Sequence, residues 1–161
     1  MNPLPPARWL AFCDGSAAPN PGRMAYGVLI VSPDGVRHTL AAAAGSAVGC
    51  NNEAELMAIG AALRELHRLG AQDVLLHSDN SVVVAQLQSP ERAVPAIARL
   101  ATQFEDTRVL MQAIAQVRLQ WIPRHRNADA DALAREAAGL PPKSVQPPGV
   151  RRRAKARRKT G

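Results

Sequence analysis

Two apolar runs of strand-like length in this chain each end on an aspartate: W-L-A-F-C leads to Asp14, and V-L-L-H-S leads to Asp79. A carboxylate costs free energy wherever its neighbours exclude water, unless a cation or hydrogen bonds compensate. Such an Asp calls for a metal ion or a donor. Gly15 and Ser16 let the backbone turn away after Asp14 and aim the carboxylate outward, although the same tripeptide is also an ordinary start of a turn. The case for chemistry therefore rests on further acids. At about 100° per residue, Leu56, Ile59, Ala62, Leu63, Leu66 and Leu69 share one helical face, while Glu53, Arg64 and Arg68 lie on the other. Glu53 has the usual place of an acid in a first helical turn. Glu55 does not, because it falls inside the apolar face and points at the core. Asp129 and Asp131 both stand near the start of a last Ala-rich helix, and helical phase does not choose between them. Gathered together, so many acids would repel one another and raise their pKa values, which divalent cations would relieve. Oxygen ligands with no nearby Cys or His pair point to Mg²⁺ or Mn²⁺ rather than zinc. Acyl transfer is excluded on other grounds, since no G-x-S-x-G is present.

Gathering these acids takes a sheet edge and helix starts. After the opening strand, residues 25–32 and 36–43 read as two antiparallel strands joined by a tight turn at Pro33-Asp34-Gly35. Residues 45–52 read as loop, with Asn52 capping a helix that runs to about Leu69 and stops at Gly70. The strand 74–78 then follows a helical crossover, which makes it parallel to the first strand and brings Asp14 and Asp79 to one sheet edge. A short helix at 81–87 follows, and Pro90 and Pro95 bracket a loop. The apolar phase divides 96–116 into two helices near Asp106. A strand at 117–122 ends at Pro123, R-H-R-N forms a loop, and Asn127 caps the final helix to about Ala138.

The 161 residues suit one domain with a real core, and the 47% hydrophobic content, poor in aromatics, makes that core aliphatic. Cys13 and Cys50 are too few and too far apart for a disulfide framework, so buried reduced thiols are expected. No apolar run reaches membrane-spanning length, and the start M-N-P-L-P-P-A-R lacks the apolar block of a secretory signal. A cytoplasmic monomer without membrane contact is expected. The net charge of +7 is unevenly spread. Residues 141–161 hold eight Lys and Arg and no acid; taking these from the twenty in the chain leaves twelve against thirteen acids, so residues 1–140 sum to −1. The expected organisation is a folded domain over 1–140 and a disordered basic tail over 141–161 that is attracted to polyanions.

The chain resembles the type 1 ribonuclease H family. The matching pieces are Asp14-Gly15-Ser16 with Asn20-Pro21-Gly22, Asn51-Asn52-Glu53-Ala54-Glu55-Leu56, Ser78-Asp79, and Trp121-Ile122-Pro123-Arg124 leading to Asn127, Ala130-Asp131 and Leu133-Ala134. They cover roughly residues 8–138. The resemblance implies an α/β ribonuclease H-like fold: a five-stranded mixed sheet, three antiparallel strands then two parallel, flanked by helices. It assigns the metal carboxylates to Asp14, Glu55, Asp79 and Asp131, choosing Asp131 over Asp129. It maps substrate contacts to Asn20, Asn51 and Asn52, whose amides suit the 2′-hydroxyls of RNA or base edges in a wide minor groove. The implied reaction is hydrolysis of the RNA strand of an RNA–DNA hybrid by two Mg²⁺ ions, with Mn²⁺ as an alternative, leaving 5′-phosphate and 3′-hydroxyl ends.

Three departures from the family pattern stand out. The segment from Trp121 to Asp131 is shorter than in members whose loop His helps product leave, so His125 lies nearer Asp131 than that His would. Ser81 stands where many members carry a Gln that contacts RNA. Between 90 and 110, Arg92, Arg99 and Arg108 are offset by Glu91, Glu105 and Asp106, so the basic protrusion some members use to grip hybrid is missing. A noncatalytic binding module of the same fold would be marked by loss of a carboxylate, and all four are present. A 3′–5′ exonuclease of related fold would carry Asp-x-Glu in the first strand, where this chain reads Asp14-Gly15-Ser16.

Overall fold

A computed structural model of the chain describes residues 7–89 and 95–143. Strands β1 (Arg8–Ala18), β2 (Gly22–Val31) and β3 (Arg37–Gly49) precede helix α1 (Asn51–Arg68). Then come β4 (Asp73–Ser78), α2 (Ser81–Gln88), a 3-10 turn at Pro95–Leu100, α3 (Ala101–Gln112), β5 (Gln116–Trp121), a second 3-10 turn at Arg124–Arg126, and α4 (Ala128–Ala137). One sheet in the order β3-β2-β1-β4-β5 holds all five strands. β1, β2 and β3 pair antiparallel, whereas β4 pairs parallel with both β1 and β5. This is the expected mixed sheet.

The expected turn between β2 and β3 forms as the sequence requires: Gly35 sits at φ +86°, where L side chains are strained, and its N–H donates to the Ser32 carbonyl. α1 lays Leu56, Ile59, Leu63 and Leu66 against Ala11, Cys13, Val28 and Ile30 of the sheet. Each fully buried Leu or Ile of this set contributes roughly 1.5–3 kcal/mol. α4 covers the opposite face, since a Cβ on Gly27 would strike Ala130 and Ala134, and Gly27 alternates with the α1-facing residues of β2. Ala130 and Ala134 are completely buried, and their small size is what allows this approach. No helix among the described residues is long and apolar enough to cross a membrane.

Several local expectations are corrected. Asp14 does not end a strand, because β1 runs four residues past it while still paired with β2. What ends near Asp14 is the neighbour: β4 pairs with β1 only as far as Cys13 and Ser78, so the edge opens there. Gly15 serves close approach rather than a turn, for a Cβ there would lie 2.2 Å from the Ala54 carbonyl carbon at the start of α1. β3 continues through 45–49 instead of becoming loop, with a register shift opposite Arg23–Ala25 absorbing the irregularity. α1 begins two residues earlier than expected, with Cys50 and not Asn52 at its cap position and no side-chain cap bond. α3 passes through Asp106 unbroken, and the division falls at Leu100 between the 3-10 turn and α3. Cys13 is buried, but Cys50 is only half-buried. The expected loop at 90–94 and all but the first three residues of the expected disordered tail over 141–161 lie outside the described residues; Pro141 and Lys143 are held against α4 by Arg135 and Asp131.

Candidate metal centre and substrate cleft

The open edge beyond the Cys13–Ser78 pair brings acids together from three elements. Asp14 comes from β1, Asp79 from the residue after β4, and Glu55 from the first turns of α1. One carboxylate oxygen from each lies within 4.8 Å of the others. Glu55 is 1% exposed, as its place on the apolar face predicts, and both its oxygens are held: Oε2 accepts from the Gly15 N–H (2.8 Å) and Oε1 from the Ser78 hydroxyl (2.5 Å). Asp14 is 8% exposed. Burial pushes Asp14 up to about 7, with the charges of Asp79 and Asp131 adding to the rise. Burial likewise pushes Glu55 up to about 8, against the lowering effect of the Ser78 hydrogen bond. Crowded, buried carboxylates with only oxygen donors fit a hard divalent cation, which would supply the missing positive charge.

A pH dependence follows from those shifts. Both folded pKa values exceed their ordinary values of 3.8 and 4.5. Between about pH 4 and 8 the unfolded chain gives up these protons before the folded one does, so the metal-free protein loses stability as pH rises through that window. Below it the contribution is fully present. Thermal melting in chelator should fall across this range, and added Mg²⁺ should restore most at the alkaline end. A melting temperature that rises from pH 4 to 8 in chelator contradicts the crowding.

All seven residues singled out from the sequence line one cleft of about 580 Å³: Asp14, Glu55, Asp79 and Asp131 with Asn20, Asn51 and Asn52. Asp131 belongs to the cleft but not to the convergent group of three; its Oδ2 lies 3.0 Å from Lys143 Nζ. Asp129 points elsewhere and meets Arg37 of β3 at 3.4 Å. The structure thus separates the two acids that helical phase left open. The asparagines form a chained set whose oxygens are committed to the protein. Asn20 Oδ1 accepts from Asn51 N–H (3.1 Å), Asn51 Oδ1 from Ala17 N–H (2.8 Å), and Asn52 Oδ1 from Asn80 Nδ2 (2.9 Å). Their Nδ2 groups are therefore the donors left to face a ligand.

Sequence reasoning missed the roles of five residues. Asn127 occupies the cap position of α4, but its side chain makes no cap bond. Its Nδ2 instead donates to the Cys13 carbonyl (2.7 Å) and to Asp79 Oδ2 (3.4 Å), tying the start of α4 to both aspartate-bearing strands. It is 1% exposed, and only its crossing of the sheet edge reveals the role. Asn80 links Asn52 to the first turn of α2, where its Oδ1 accepts from Val83 N–H. Arg124, Arg135 and Lys143 bring positive charge to the cleft wall. His125 is exposed in the 3-10 turn and does not line the cleft, whereas Ser81 does.

A mixed sheet with helices on both faces and a carboxylate cluster at its open edge defines an α/β protein whose acids could hold a cation. The family model described as reverse transcriptase-like matches residues 12–137. A solved RNase H1 from the halophilic archaeon Halobacterium salinarum superposes with a TM-score of 0.73 at 32% identity, over 82% of this chain and 98% of that one. LC11-RNase H1, isolated from compost and solved in complex with an RNA/DNA hybrid, gives a TM-score of 0.70 at 29% identity over 80% and 95% of the two chains. A bifunctional protein of Mycobacterium tuberculosis is 31% identical over 127 residues, 77% of this chain and 34% of its own length. The chain thus spans about a third of the length of the first curated relatives it matches. The chain belongs to the type 1 ribonuclease H family.

Proposed function

We propose that this protein is a divalent-metal-dependent endonuclease that hydrolyses the RNA strand of RNA–DNA hybrids and leaves 5′-phosphate and 3′-hydroxyl ends. The observation that carries the reading is the convergence of Asp14, Glu55 and Asp79 within 4.8 Å on a cleft that also holds Asn20, Asn51 and Asn52. Asp14, Glu55, Asp79 and Asp131 would hold two Mg²⁺ ions, with Mn²⁺ as the alternative. When bound, the ions supply an activated water and charge stabilisation for the departing oxygen. Asn127 fixes the Asp79 carboxylate, and Ser78 and the Gly15 amide fix Glu55, so the acids keep their places before cations arrive. The asparagine Nδ2 groups donate to 2′-hydroxyls or base edges, which distinguishes RNA from DNA at that strand. The named RNase H1 relatives, one solved with an RNA/DNA hybrid, support this substrate.

Labelled hybrid, duplex RNA and duplex DNA, each with Mg²⁺ or with chelator, test the reading. Cleavage of the hybrid's RNA strand alone, and only with metal, is the expected result. Binding of hybrid without cleavage under any divalent cation would favour a noncatalytic module of the same fold.

The catalytic domain on this reading is 1–140, acting as a monomer in the cytoplasm, and the basic segment 141–161 serves as a hybrid anchor in place of the missing basic protrusion. A body of charge −1 has little net field to draw in a polyanion, whereas a cationic tail raises local substrate concentration without reading sequence. Deleting residues 144–161, which removes seven of the eight tail cations, should raise KM at low salt, flatten the salt slope of binding and leave kcat nearly unchanged. An unchanged salt slope would rule out the anchoring role.

A further inference from the structure

Beyond α4 the chain turns back on itself. Gly139 takes φ +71°, and the Leu140 N–H donates to the Arg135 carbonyl at 2.9 Å, a helix ending that reverses direction. Arg135 then fastens the reversed segment, its Nε and Nη2 both donating to the Pro141 carbonyl at 3.0 and 2.8 Å. Two residues on, Lys143 Nζ reaches Asp131 Oδ2 at 3.0 Å. Arg135 and Asp131 lie one turn apart on a common helical face. One residue of α4 therefore holds the strap, and the strap lays a cation on the acid one turn earlier. Leu140, Arg135 and Lys143 all line the cleft of Asp14, Glu55 and Asp79.

We propose that Lys143 is a built-in counter-ion that competes with a divalent cation for Asp131, carried to the metal centre by the anchored strap of residues 139–143. This rests on the metal-centre reading above. Lys143 takes up Oδ2 of Asp131, so a cation that binds that oxygen displaces the ammonium, and the positive charge beside the carboxylate opposes a cation at either oxygen. The pair is well suited to exchange, because the Lys143 side chain is 61% exposed and that of Asp131 is 23% exposed. Displacement does not free the strap, since the Arg135–Pro141 bonds do not involve Lys143. The released ammonium stays at the cleft, where the phosphates of a polyanion attract it. Substrate and cation then load together: phosphates draw Lys143 away, and Asp131 turns to the cation.

Calorimetric titration of the full chain with Mn²⁺ alone, without nucleic acid, tests this. Lys143→Ala should bind Mn²⁺ about two- to fivefold more tightly than wild type, the range set by release of one partly exposed ion pair. Lys143→Arg should keep the wild-type affinity. Adding Asp131→Asn should erase the gain, as expected if the two residues are coupled. Binding by Lys143→Ala equal to or weaker than wild type overturns the strap, as does a gain that survives Asp131→Asn. If wild type and Lys143→Ala both fail to bind Mn²⁺, the metal-centre reading falls and takes the strap with it, a failure distinct from binding that is present but unaltered.

Discussion

Replacing Asp14 by Asn is expected to abolish hybrid cleavage while leaving the fold and hybrid binding largely intact. Asp14 lies where β1 loses its β4 partner, between the acids from α1 and from the end of β4. The amide is nearly isosteric, so the fold is undisturbed, but the charge proposed to hold the cations is gone. Loss of an outer-shell partner of a metal site already costs up to about a hundredfold, and a shared ligand should cost more. The same substitution removes the repulsion that, after burial, raises Asp14, so in chelator the variant should melt higher than wild type at pH 8. Near-normal cleavage by a folded Asp14→Asn protein would remove Asp14 from the metal centre.

Glu55→Gln and Glu53→Gln, two residues apart on one helix, should behave oppositely. A Gln at 55 can still accept from the Gly15 N–H, and its amide can donate to the Ser78 hydroxyl, which turns to accept. The fold therefore survives while a proposed metal ligand loses its charge, and cleavage should fall by more than about a hundredfold. Glu53 sits off the cleft, 3.7 Å from Arg99, with a half-buried side chain. Its amide variant should cost within about 1 kcal/mol of stability, as exposed ion pairs do, and leave kcat alone. Rate assays on both variants, with melting curves as the folding control, check the contrast. Equal losses would mean that the face of α1 does not decide which acid acts.

Much of this arrangement was legible in the chain because periodicity reports burial. The buried position of Glu55 follows from its place among Leu56, Ile59, Leu63 and Leu66, and the shared edge of Asp14 and Asp79 follows from a helical crossover between two apolar strands. Other features depend on contacts between residues far apart in sequence. Asn127 resembles a helix cap because local sequence offers an Asn before a helix, yet its partners are Cys13 and Asp79, 114 and 48 positions away. Gly15 resembles a turn residue, yet its lack of a Cβ is required by Ala54 across the sheet edge. Asn52 resembles the α1 cap, yet its oxygen is taken by Asn80. The extension of β3 past Gly45 reflects pairing with β2 that outweighs the small, loop-like composition of residues 45–49. Helical phase left Asp129 and Asp131 undivided and only the resemblance chose Asp131; their placements, Asp131 at the cleft and Asp129 against Arg37 92 positions away, depend on contacts that local sequence does not carry.

Anomalous scattering from Mn²⁺ soaked into crystals of the wild-type protein addresses the central claim most directly, because it locates the cation without relying on activity. A peak is expected within about 2.5 Å of carboxylate oxygens of Asp14, Glu55 and Asp79, at the open edge beyond Cys13 and Ser78. Mn²⁺ bound only at other acids, with those three carboxylates left without a peak at saturating concentration, would contradict it.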